Sequence, residues 1–164
     1  MRSGAINRAS VKDVLANMAT SGRSYHACCC TGDASYPLLA LGGLGENQTL
    51  LDDACLVSSA GSVLEVRIED GCKSWCGRCD HAAVMRRRSE DNTWDVWLCG
   101  GSGRDGRISD VWRGALSIQQ AEGEKPTTAR LSWTKMEDGR KDAQWSGRSG
   151  HAIALISERS GGVL

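Results

Sequence analysis

Apolar residues in this 164-residue chain come in short runs of four to seven, each bounded by glycine or polar residues. Runs of that length, flanked by turn chemistry, predict strands rather than helices. Three begin at a histidine: His26-Ala27-Cys28-Cys29-Cys30, His81-Ala82-Ala83-Val84-Met85 and His151-Ala152-Ile153-Ala154-Leu155-Ile156. After the first two comes an apolar run ending in paired glycines, Leu38 to Gly43 and Val96 to Gly101. An acidic-led run follows each, Asp53 to Val57 and Asp110 to Leu116, and then a fourth, Ser62 to Val66 and Leu131 to Thr134. The chain therefore divides into units of four short strands. Val11, Val14, Leu15 and Met18 follow helical spacing, yet they sit where a fourth strand would precede the first histidine run, and the segment is read as strand.

The three histidines are the only ones in the chain, and all lie in one phrase, G-R-[SC]-x-H-A. It occurs at Gly22 to Ala27, Gly77 to Ala82 and Gly147 to Ala152, at intervals of 55 and 70 residues. Trp75 and Trp145 each stand six residues before the histidine. Self-similarity at such a period is the mark of a repeat architecture.

These features resemble the kelch repeat. The matching positions are Arg23, His26, Gly42 and Gly43, then Trp75, Arg78, His81, Gly100, Gly101, Trp112 and Trp133, then Trp145, Arg148 and His151. The resemblance implies an all-β fold of four-stranded antiparallel propeller blades. It divides the chain into an N-terminal segment 1–19, a first repeat 20–70, a second 71–138 and the start of a third, 139–164, so the ring is expected to be incomplete and the chain a piece of a longer protein. The first unit departs from the pattern, with Cys55 where the second has Trp112 and Val66 where it has Trp133. The second carries an insert around Gln119 to Thr128.

Composition narrows the function. Twenty basic and 20 acidic residues give zero formal net charge, which argues against a broad nucleic-acid or membrane surface. The basic run Met85-Arg86-Arg87-Arg88 reads as a solvated loop. Neither a leader core in Met1 to Leu15 nor a membrane-length apolar run is present in the sequence, and the eight cysteines read as reduced thiols, so the expected compartment is the cytoplasm. Cys72, Cys76, Cys79 and His81 have the look of a zinc knuckle. However, Cys79 aligns with Ser24 and Ser149, and Cys76 with Ser146, which points to a small-residue requirement, so neither metal nor cofactor is expected. Every histidine belongs to the repeat, and no catalytic residue is assigned. The expected role is a protein–protein interaction scaffold with a protein partner, open to self-association through incomplete blades. The alternatives are part of a kelch-containing oxidase or specifier enzyme, or a zinc module at the knuckle. Contact loops are expected at Gly45 to Leu51, Gly103 to Ser109 and Arg86 to Trp94, with Asn47, Arg104, Asp105, Arg107 and an exposed Trp94 as partner-binding candidates.

Overall fold

The computed structural model describes residues 22–69, 75–88, 92–122, 126–136 and 145–155. The segments expected at residues 1–19 and around Val11 to Met18 lie outside these. The fold is all-β. Strands β1 (Ala27–Cys30), β2 (Leu38–Leu44), β3 (Leu50–Val57) and β4 (Val63–Ile68) make an antiparallel meander. A second meander consists of β5 (Ala82–Arg87), β6 (Thr93–Cys99), β9 (Val111–Gln119) and β10 (Thr128–Lys135). Between β6 and β9 stands a small hairpin, β7 (Ser102–Gly103) and β8 (Gly106–Arg107). A 3-10 turn at Glu46–Gln48 is the sole helical element among the described residues, and none of their helices is long and apolar enough to cross a membrane.

The last strands of the two meanders pair in parallel over three residues, Val66 with Ala129, Arg67 with Arg130 and Ile68 with Leu131. This joins all eight into one sheet of order β1-β2-β3-β4-β10-β9-β6-β5. The sheet curves until its end strands β1 and β5 touch, so its halves face each other across the core. Leu39, Leu41 and Leu56 from the first meander meet Val96, Leu98, Leu116 and Leu131 from the second, all of them fully buried. Trp75 lies among them, edge-on to Trp133 at 5.9 Å between ring centres. Gly114, opposite Trp133 in the β9–β10 register, leaves the space that ring occupies: a Cβ there would lie 2.8 Å from it. The back of the first meander carries a second, smaller cluster, Ala40, Cys55 and Val57.

Sequence and structure differ in three places. Arg86 and Arg87 extend β5 rather than forming a loop, because Arg86 pairs with Asp95 and Arg87 with Trp94 across β6. Trp94 is not exposed in a loop: it lies on β6, wholly buried, and its indole N–H donates to the Thr31 carbonyl at 2.7 Å. Residues 151–155 run without strand pairing, in contrast to the strand expected from His151 onward.

Candidate functional site

The repeated phrase builds the joints of the molecule. Its fourth position is left-handed in all three copies, with φ of 55° at Tyr25, 52° at Asp80 and 66° at Gly150. That conformation is costly for Tyr and free for Gly, so the fold imposes it. The reason lies in the hydrogen bonds. Asp80 N–H donates to the Tyr25 carbonyl at 2.9 Å, and Gly150 N–H donates to the Asp80 carbonyl at 2.9 Å. Successive copies are thereby linked head to tail by the same bond.

The diglycines complete each joint. Gly43 N–H donates to the Arg78 carbonyl at 2.9 Å, and Gly101 N–H to the Arg148 carbonyl at 2.8 Å. Arg78 N–H donates in turn to the Leu51 carbonyl, and Arg148 N–H to that of Ile108. Gly42 and Gly100 have positive φ, and each is packed against the following copy: a Cβ on Gly42 would meet the Trp75 ring, one on Gly100 the His151 ring. Gly43 and Gly101 instead press on His26 and His81 of their own units.

The phrase arginines hold acidic residues of their own unit. Arg23 makes a two-pronged pair with Asp53 at 2.9 and 2.7 Å and also donates to the Gly42 carbonyl. Arg78, fully buried, pairs with Asp110 at 2.5 and 2.9 Å and donates to the Gly100 carbonyl. Trp112 adds an indole N–H to Asp110 at 2.7 Å, a donor that Cys55 does not supply to Asp53. Burial pushes the Asp110 carboxyl up, but the Arg78 and Trp112 hydrogen bonds outweigh it and leave the group below its ordinary value. Burial drives the His81 imidazole down to about 4, helped by the neighbouring Arg78 charge. Arg148 lies over Trp145 at 4.5 Å, and His151 Nε2 is 3.3 Å from Cys99 Sγ.

The two described cysteines of the knuckle differ in exposure. Cys76 is exposed, with its sulfur 3.6 Å from Arg78 Nη2, and Cys79 is buried at a bridge to Ser102. Cys72 lies outside the described residues. No group of three metal-capable side chains occurs among the described residues.

Two of the three expected contact loops converge on one groove of about 620 Å³. Its first wall is Gln48, Thr49 and Leu50, its second is Gly103 to Ile108, and Cys76 and Gly77 join them. Arg104, Asp105 and Arg107 all lie in it; Asn47 sits one residue outside, left-handed at φ 56°. The second wall is the β7–β8 hairpin, which holds its residues out from the sheet. The lining brings two guanidinium groups and one carboxylate together, from Arg104, Arg107 and Asp105. None of the described residues of the third expected loop lines the groove: Arg86 and Arg87 lie on β5, and Trp94 is in the core.

Sequence reading missed the left-handed fourth position, although Gly150 in the third copy was its one visible sign. It also missed Asp95, a carboxylate buried on β6 and held by Arg86, Arg88 and Arg113. No protein-family profile and no curated protein sequence matches the chain.

Proposed function

We propose that the chain is a kelch-type β-propeller section serving as a protein–protein interaction scaffold, each four-stranded meander being one blade. The repeated joints support this reading, because one set of bonds recurs from unit to unit. The groove carries the functional part: loops of successive units, Gln48–Leu50 and Gly103–Ile108, form a single recessed surface that neither unit could make alone. In this reading the buried phrase residues are scaffold. Arg104, Asp105 and Arg107, exposed on the hairpin, meet the partner.

The test is affinity purification from source cells with three forms of the chain. These are the wild type, Arg104→Glu combined with Arg107→Glu, and Glu65→Arg on the exposed side of β4. Circular dichroism first establishes that all three are folded. A protein retained by the wild type and by Glu65→Arg, and reduced at least tenfold by the double variant, supports the groove. Equal retention by all three forms, or equal loss from both variants, overturns it.

A further inference from the structure

The outer face of the second meander holds a charge arrangement that the scaffold role leaves unused. Asp95 projects from β6 on the side away from the core and is 2% exposed. Its Oδ1 accepts from Nε and Nη2 of Arg88 and from Nε and Nη2 of Arg113, at 3.3 and 2.9 Å for the latter. Its Oδ2 accepts from Arg86 Nη2 at 3.3 Å. Three guanidinium groups thus surround one carboxylate, and the local charge is +2. Asp95 fixes Arg88 and Arg113 side by side while both remain nearly half exposed. Beside them opens a depression of about 240 Å³, floored by Gly114 and Ala115 and edged by the hydroxyl residues Ser132 and Thr134. The β9–β10 register puts Ser132 opposite Ala115 and Thr134 opposite Arg113, so hydroxyls and guanidiniums border the same space.

We propose that this depression binds a phosphate-group dianion between Arg88 and Arg113, with Ser132 and Thr134 as hydroxyl donors. A dianion balances the excess charge that Asp95 leaves. Guanidinium forks suit a tetrahedral group of several acceptor oxygens, and the side chains are already ordered by Asp95, so little rotamer freedom is lost on binding. On this outer face the small Ala115 side chain leaves the volume such a group needs. The site is separate from the groove: it sits where β5 ends and β6 begins, whereas the groove adjoins the turn after β6.

Inorganic phosphate and, separately, capped O-phosphoserine are titrated into the folded chain at constant ionic strength, read by amide chemical shifts, with chloride as the reference. Saturable shifts centred on Ser132 and Thr134 are expected for at least one of the two. Tenfold tighter binding of phosphoserine identifies a phosphorylated side chain as the source; equal or tighter inorganic phosphate identifies the free ion. Arg113→Gln and Arg88→Gln each weaken binding at least fivefold. Should either fail to fold beside buried Asp95, Ser132→Ala together with Thr134→Val provides the second test, with at least a threefold loss expected. Shifts matching those in chloride, or undiminished binding in the hydroxyl variant and in every arginine variant that folds, overturn the proposal.

Discussion

Both ring nitrogens of His81 are buried, and that burial outweighs the opposing effect of the Leu41 backbone. The folded protein therefore keeps this imidazole neutral down to about pH 4, while in the unfolded chain it takes a proton near 6.5. Between those values the unfolded state binds the extra proton, so stability is full above pH 6.5 and falls as pH drops toward 4, by on the order of 3 kcal/mol in all. His26 shifts in the same direction. The carboxylates Asp95 and Asp110 lose their contribution as pH falls from the ordinary carboxylate value downward, mostly below the window of His81. Urea midpoints at pH 7.5 and 4.5 should differ strongly in the wild type and far less in His81→Leu. Glycine positions give a second residue-level contrast. Gly42 and Gly32 both have positive φ, but a Cβ on Gly42 meets Trp75 and two carbonyls, and one on Gly32 meets nothing within 4 Å. Gly32→Ala should cost about 1 kcal/mol from backbone strain alone, and Gly42→Ala more than about 3 kcal/mol, as measured by chemical denaturation.

Two equivalent ion pairs differ in burial, and that difference sets what each is worth to its strands. Removing Asp110 leaves Arg78 charged and fully buried, so Asp110→Ala should destabilise by about 3–5 kcal/mol. The Asp53 side chain is 43% exposed and water can reach its place, but that of Arg23 is only 5% exposed, so Asp53→Ala should cost less than Asp110→Ala, about 1–3 kcal/mol. Thermal unfolding of the two variants side by side checks the ordering. At this scale much was legible in the chain. Short runs closed by diglycine located β2 and β6, and the acidic-led runs put Asp53 and Asp110 in equivalent places. What escaped was long-range. Trp94 follows the polar stretch Ser89 to Asn92 and looked like loop, but its place is fixed by Thr31, 63 residues away. Asp95 reads as a polar break in an apolar run. Its three arginines come from β5, from the residue after it, and from β9, and only the folded sheet assembles them.

Across the whole molecule, the sheet sorts the cysteines by face. In the triplet, Cys28 and Cys30 are exposed and Cys29 is buried, as strand alternation requires. Native-state alkylation read by mass spectrometry should label Cys30 and Cys76 first. Cys28 follows more slowly, because burial and the neighbouring Cys55 push its thiol up. Cys29, Cys55, Cys79 and Cys99 should react only on unfolding; early labelling of any of these would contradict the packing described above. The histidine phrase was legible as a repeat, but its mechanical meaning was not, since a backbone hydrogen bond leaves no trace in residue identity. That bond has an evolutionary consequence. Tyr25, Asp80 and Gly150 offer their neighbours the same carbonyl or the same N–H, whatever their side chains. A duplicated unit inserted between two others would find a matching donor on one side and a matching acceptor on the other. That bond would carry over unchanged, whereas the β4–β10 pairing and the shared core would have to re-form around the added unit.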